Sequence, residues 1–572
     1  MSNQLSALLE WCIANGIFID SQIRIGSDEQ GDIGVYATDS FISPKQTLVR
    51  IPKDAILSVR TCSLAGFIPF NPYGLGAQLS LSMALYAEMY GAIVSKLHSC
   101  VVKSFPLSFH RLKCRESKWF GYIDSFPGEM VDLPIFWGLD VNSQDALEAL
   151  DWLTGTEAGK MLHGKNEDNL TKLVGTLSIS ESSPFILLRQ KQEEIDNFYY
   201  DIAEPLLSRH LEASKPTLMG FHRAFSLVSS RAFLVDAYHG LSMVPIADAF
   251  NHSVDNQIHL ESDYNVCPEC GSLHECPHDR DDVTDVDTKP GSPKNAEDAH
   301  DSCYMMVTNA GIPPQAEIFN TYGETLSNSQ LLNQYGFVLQ SNDNARLSWT
   351  MYHIVQHLVV ELFSLDWFPN QERRNIVTYM FQVLSALEVE EVESLLSSQS
   401  DLIYYEDTKE EHFFLKYEGL SHPLWAILFV LATIRYRHCN GNVDLDPGTL
   451  ALQTLKLQTT LEALDGNDED EEQHGNEALS GILKGSDKAA VDILQEIGSL
   501  CIALCDHRLR NNGKSDSVDE DLFKLLDELP PDNTRTRLAV SLVITERSIL
   551  KSCLAGWQSL TRHVSSTLHD LG

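Results

Sequence analysis

The chain has 572 residues, 43% of them apolar and 21% charged, with a formal net charge of −38. That is too long for one core, which predicts several domains, and too rich in apolar residues for a disordered or fibrous chain. The acidic excess excludes nonspecific binding to nucleic-acid phosphates and favours steering of a basic polypeptide toward the surface. Part of that charge sits in two local runs, Asp279–Asp301 and Glu462–Glu477, which carry −5 and −8.

In chain order, MSNQLSALLEWCIANGIF lacks a basic leader and has Glu10 inside its apolar spacing. It reads as an amphipathic helix rather than a signal peptide. Gly34–Ser58 has β-branched and aromatic residues in short runs broken by Pro44 and Pro52, the pattern of strands. From Leu79 to Leu211 the apolar spacing turns helical, and from Phe221 to Val338 strand-like runs return. A polar insert, RDDVTDVDTKPGSPKNAEDAHD, interrupts them with no face to bury and reads as a disordered loop. Beyond Leu347 the spacing is helical to the end, with DGNDEDEEQHG as an internal linker. The longest apolar run, Leu424–Ile434, is too short to cross a bilayer and predicts a buried helix. Twelve cysteines without a secretory leader predict reduced thiols in an intracellular protein, in cytoplasm, nucleus or both.

Three segments carry chemistry: GDIGVYA (Gly31–Ala37), SSRAFLVDAYHGLSMVPIADAFNHS (Ser229–Ser253) and EIFNTYGETLSNSQLLNQYGFVLQ (Glu317–Gln340). Each alone has a bland explanation: a tight turn, a strand end, a half-buried aromatic. Their conjunction and order resemble the SET-domain lysine methyltransferases of the class typified by the plant Rubisco large-subunit methyltransferase. VRIPKDAILS, KWFGYIDSFP, LPIFWGLD and RLAVSLVITERSIL are weaker echoes of the same class.

The resemblance implies an α+β fold: a split, β-rich SET domain with a pseudoknot and a helical insertion, followed by an all-helical substrate-binding domain. The boundaries expected are 1–78 for the first SET part and 79–211 for the insertion. The second SET part follows at 212–346 with an insert at 262–302, then the helical domain at 347–572 with an acidic loop at 465–477. It also implies a cofactor, S-adenosylmethionine. Asn251 and His252 would hold it, with Asp248 just before them. Ser230 and Arg231 match an SRAF segment whose arginine approaches the cofactor carboxylate, a role suited to a guanidinium. Tyr335 and Phe337 would line the pocket. Backbone at Gly31, Ile33 and Gly34 would touch the cofactor. Here the chain departs from the family's Gly-x-Gly, because Gly31 stands one position early and the Asp32 side chain must point outward.

By the same resemblance Tyr322 is the catalytic residue. Methyl transfer from a sulfonium to an amine is an in-line displacement, so alignment and oxygen dipoles around the moving methyl do most of the work. The expected substrate is a lysine on a non-histone protein, a ribosomal protein being the first choice, with no direct contact to nucleic acid or membrane. A histidine acceptor and a non-catalytic SET-like scaffold are the alternatives.

A separate cluster lies in CPECGSLHECPHD. Cys267, Cys270, Cys276 and His278 offer a Cys3His set of the kind structural zinc accepts, and His274 or Cys303 can substitute for a member. The other reading is a surface hairpin of unpaired thiols.

Overall fold

Strands far apart in sequence pair side by side. β4 (Thr47–Pro52) runs antiparallel to β9 (Cys303–Thr308), with Arg50 opposite Met305. β5 (Leu57–Ser58) pairs with β7 (Gly240–Met243), which in turn pairs with β6 (Ala232–Asp236). A β domain is thus split by the residues between, as the resemblance implies. The computed structural model describes residues 3–27, 33–90, 117–162, 189–210, 215–263, 265–274, 276–279, 303–354, 357–358, 403–404, 413–416, 419–440, 447–465, 487–514 and 521–571. Gly31 and nearly all of both acidic runs lie outside these residues.

Two compact units emerge. The first comprises Met1–Phe136, Lys191–Leu326 and Gln334–Gly336; the second comprises Trp137–Gln190, Ser327–Asn333 and Phe337–Gly572. Residues 137–190, read from sequence as part of the helical insertion, therefore group with the second unit, and so does Phe337.

In the first unit, one sheet has the order β1-β4-β9-β8, with β1 at Phe18–Ile19 and β8 at Ile258–Glu261. β2 (Ile23–Ser27) and β3 (Ile33–Ala37) form a second, with Gly26 opposite Gly34, and β5-β7-β6 form a third. In β4 the buried Leu48, Val49 and Ile51 face the core while Pro52 closes the strand, where a missing N–H costs no ladder bond. Helix Gly74–Tyr90 is buried on nearly every side from Leu79 to Met89. Helix Leu218–Arg231 begins at Thr217, whose side chain accepts from the N–H of Gly220 at 3.2 Å, and ends at the residue singled out for anion binding.

The second unit is largely helical. Its core is built on helix His422–Asn440, where the apolar run from Leu424 to Ala432 is buried among Ile493, Ile497, Leu500 and Trp557. Each such aliphatic side chain contributes roughly 1.5–3 kcal/mol through burial. The expectation of helix holds, with one addition. Four short strands, β10 (Leu347–Trp349), β11 (Ile403–Tyr404), β12 (Phe413–Lys416) and β13 (Gly419–Ser421), form a sheet of order β10-β12-β13-β11. Strands of two to four residues are too short to show an alternating pattern in sequence. Among the described residues no helix is long and apolar enough to cross a membrane.

Candidate functional site

The site grows from one strained turn. After β7, Ile246 adopts φ = 70°, a conformation a β-branched residue rarely takes. The strain turns the chain into a single 3-10 turn, Ala247–Ala249, and carries Asp248 into the interior. The Asp248 side chain is only 5% exposed. Tyr122 donates its hydroxyl to Asp248 Oδ2 at 2.8 Å, and Arg231 Nη1 lies 3.6 Å from the same oxygen and 3.4 Å from the Asp248 carbonyl. Burial pushes the Asp248 carboxyl above its ordinary value, opposed by Arg231 and Tyr122. Burial and then Asp248 push the thiol of Cys12 up to about 12.

Three residues on, the chain meets the segment that ends in Tyr322. Asn320 donates its N–H to the Asn251 carbonyl at 2.9 Å, and Ser253 donates to the Asn320 carbonyl at 3.0 Å, so His252 and Asn320 run parallel. Nδ1 of His252 accepts the Tyr322 N–H at 3.1 Å, which puts the ring proton on Nε2 and requires a neutral imidazole. Burial lowers the His252 pKa, in keeping with that bond. The Tyr322 ring lies 5.2 Å from the His252 ring and 4.6 Å from that of Tyr335. Burial raises the Tyr322 phenol to about 12, with Arg231 opposing and Asp248 and Glu317 assisting, so it stays protonated at neutral pH. Burial likewise raises Tyr335.

The structure thus brings Arg231, Asp248, Asn251, His252, Tyr322 and Tyr335 into one neighbourhood. Gly34 adjoins it: a Cβ there would sit 3.0 Å from both Glu317 Oε1 and the Tyr36 hydroxyl, so the bare backbone lets these groups approach. Ile33 begins the same strand. Ser230 does not point its hydroxyl into the cluster; it bonds back to the Ser226 carbonyl at 2.9 Å within its own helix. Its neighbour Ser229 instead ties the helix to Gln334, donating to that carbonyl at 3.2 Å.

Sequence reasoning missed two members. Tyr122, inside KWFGYIDSFP, is the hydrogen-bond partner of Asp248, and nothing in its local pattern marks that. Glu317 accepts from Asn251 Nδ2 at 2.7 Å, so one donor of the asparagine amide is already engaged. Glu317 opens the third motif, which was the available signal.

No protein-family model matches the chain. The crystal structure of the SET domain of LSMT bound to lysine and AdoHcy aligns with a TM-score of 0.50 at 16% identity, covering 99% of this chain and 93% of that one. The same domain bound to methyl-lysine and AdoHcy gives 0.50 at 14% identity. The chain has the fold of the SET domain of LSMT. This SET protein is also similar in sequence to ribosomal lysine N-methyltransferase 3 of Saccharomyces cerevisiae, 26% identical over 379 residues, 57% of this chain and 60% of the yeast protein. It is 22% identical over 360 residues to the N-lysine methyltransferase SETD6 of Bos taurus, 59% of this chain and 58% of the bovine one. The match therefore spans under two thirds of either relative's length.

The cysteine–histidine cluster of the SET unit also converges. One ligand atom from each of Cys267, Cys270, Cys276 and His278 lies within 4.8 Å of the others. His278 Nδ1 is 3.8 Å from Cys267 Sγ and 3.6 Å from Cys276 Sγ.

Proposed function

We propose that this protein transfers a methyl group from S-adenosylmethionine to a lysine side chain of a non-histone protein. The observation that carries the reading is the Tyr322 ring packed against His252 and Tyr335, with its backbone N–H on the His252 imidazole. A motif-matched tyrosine and a motif-matched asparagine–histidine pair, 70 residues apart, share one cluster.

The residues fit the cofactor. Arg231 Nε is buried without a hydrogen-bond partner, its Nη1 makes long contacts to Asp248, 3.4 Å to the carbonyl and 3.6 Å to Oδ2, and its guanidinium carbon lies 5.8 Å from the Phe126 ring centre. A carboxylate such as that of the methionine moiety would complete it. The backbone around Asn251–His252 and the ring of Tyr335 would hold the rest. When bound, the cofactor supplies an electrophilic methyl on a sulfonium sulfur.

The chain's own residues do the remainder. Rings at Tyr322 and Tyr335 offer an apolar wall that disfavours an ammonium, so lysine, with an ordinary pKa of about 10.4, loses its proton to water before transfer. The Tyr322 phenol, protonated until about pH 12, acts as an oriented oxygen dipole and not as a base. His252 fixes where that tyrosine starts.

A ribosomal protein is the substrate class we favour. The name of the yeast relative supports it, and a chain with a net charge of −38 attracts basic polypeptides. Such a substrate is met in cytoplasm or nucleus. The test is Tyr322→Phe, assayed with labelled methyl donor on ribosomal subunits and on whole extract. Cofactor affinity by calorimetry should stay within a few-fold while methyl transfer falls by roughly 100-fold or more. Unchanged turnover removes Tyr322 from the role. Cofactor binding without a labelled band in any extract points instead to a scaffold.

A further inference from the structure

We propose that Cys267, Cys270, Cys276 and His278 bind a zinc ion that braces the turn between β6 and β7. This site takes no part in methyl transfer, and its test needs none.

The chemistry of the set comes first. Three thiols and one imidazole are a ligand set that tetrahedral zinc accepts as a closed structural site. Bond lengths of about 2.3 Å to sulfur and 2.0–2.1 Å to nitrogen give a tetrahedron whose S···N edges are about 3.6 Å. The two S···N separations here are 3.8 and 3.6 Å, and all four ligand atoms fall within 4.8 Å of one another. A simple thiol–imidazole hydrogen bond explains one such pair. It does not explain why a third and a fourth ligand gather at the same point.

The backbone is shaped for the task. Gly271 donates to the Cys267 carbonyl at 2.8 Å and Cys267 donates to the Ser272 carbonyl at 2.9 Å, closing a tight knuckle around the first two cysteines. Gly271 has φ = 73°, and a Cβ on it would come within 3.0 Å of the Tyr238 ring. Glycine therefore serves both the turn and the close approach. The knuckle is docked as well as folded. Arg60 donates Nη2 to the Pro268 carbonyl at 3.3 Å, and its guanidinium lies 5.0 Å from the Tyr238 ring centre and 4.5 Å from that of Phe70.

Tyr238 belongs to the turn between β6 and β7. Asp236 anchors that turn, accepting from the N–H of Tyr238 at 3.0 Å, the N–H of His239 at 2.7 Å and the Tyr304 hydroxyl at 2.6 Å. β7 then leads to the strained turn at Ile246 and to Asp248. The knuckle, in the connection between β8 and β9, thus packs against the turn that precedes the strand leading to the candidate site. A metal is the economical way to order a short polar knuckle with so little apolar surface of its own.

A second group of thiols, Cys501, Cys505 and Cys553, also lies within 4.8 Å, but it is buried in the apolar core of the helical unit and has three members, with no fourth among the described residues. Buried cysteines behave as small apolar side chains, and this group serves as the internal control.

The experiment is metal analysis of the full-length chain purified without chelator. About one zinc per chain is expected. Cys267→Ser with Cys270→Ser should reduce it to near zero, whereas Cys553→Ala should leave it unchanged. Because the double variant can fail to fold, Cys270→Ser alone, at an exposed position, gives a second reading. It should weaken zinc at least tenfold against a chromophoric chelator while circular dichroism is unchanged. Cobalt substitution should give the intense bands of a sulfur-rich tetrahedral site, lost in the same variants. Wild-type chain that lacks zinc and takes up none on titration overturns the proposal. So does zinc that survives in the double variant, or that disappears only with Cys553→Ala.

Discussion

Each unit of the molecule buries a small cluster of charges, and the two clusters are built differently. In the helical unit Glu157, 7% exposed, accepts from Arg508 at 2.8 Å, Lys160 at 3.0 Å, the Ser348 N–H at 2.9 Å and the Ser348 hydroxyl at 2.6 Å. Burial would raise its pKa, but Lys160, Arg508 and Ser348 outweigh that and hold it below the ordinary value. In the SET unit Asp248 has one short hydrogen bond from a side chain, Tyr122, and an arginine 3.6 Å away, and its pKa is raised. Near-identical residue types thus do opposite jobs. A carboxylate saturated by donors from distant segments holds a fold together. A carboxylate and guanidinium left under-paired beside aromatic rings are, on the function proposed above, what the charged end of the cofactor would complete.

The contrast is sharpest for substitutions. Glu157→Ala strands Arg508 and Lys160 in the interior and should cost about 3–5 kcal/mol, read as a lower urea midpoint. Arg231→Ala should lose about 1.5–3 kcal/mol of cofactor affinity, roughly 10- to 150-fold by calorimetry. Its side chain is 29% exposed, so unfolding free energy should change by less than about 1 kcal/mol. A stability loss as large as that of Glu157→Ala would erase the distinction. Tyr122→Phe deprives Asp248 of its short bond and should cost about 1 kcal/mol in thermal melts.

The smallest effect is in pH, where one group from each unit, His252 and Glu546, acts in the opposite direction to the other. His252 has a lowered pKa, so its neutral form contributes stability that is present above pH 6.5 and lost as pH falls below it. Glu546 accepts from the Glu157 N–H and from Asn512, and burial followed by Glu157 raises its pKa to about 7. Its contribution is complete below the ordinary 4.5 and is lost as pH rises through about 7. Hydrogen exchange across pH 5–8 should show peptides around Asn251–Ser253 opening at the acid end, and those of helix Thr534–Leu571 at the alkaline end. Parallel responses of the two peptides would remove the contrast.

Much of the site was legible because its residues stand in short, chemically odd stretches. Asn251 and His252 end an apolar run, and Tyr322 precedes a glycine in a polar turn. The convergence of the cysteine–histidine cluster was legible for the same reason, since all four side chains fall within twelve residues. Tyr122 was not, because its partner Asp248 lies 126 residues away and no local pattern records a contact at that distance. Nor was Glu317, whose place opposite Tyr36 depends on the bridge between their segments. Ser230 illustrates the converse: a motif position whose hydroxyl the helix itself absorbs.

Periodicity determined the order strands, helices, strands, helices, because burial of one face imposes a repeat that can be read residue by residue. It also determined that the run from Leu424 is interior, since nothing in it tolerates water. Only the tertiary structure decided which donors each buried carboxylate receives, that 137–190 joins the second unit, and that strands of two to four residues form a sheet there. Those outcomes rest on pairings between segments from a few to several hundred residues apart, whose energy appears only once the chain has closed on itself.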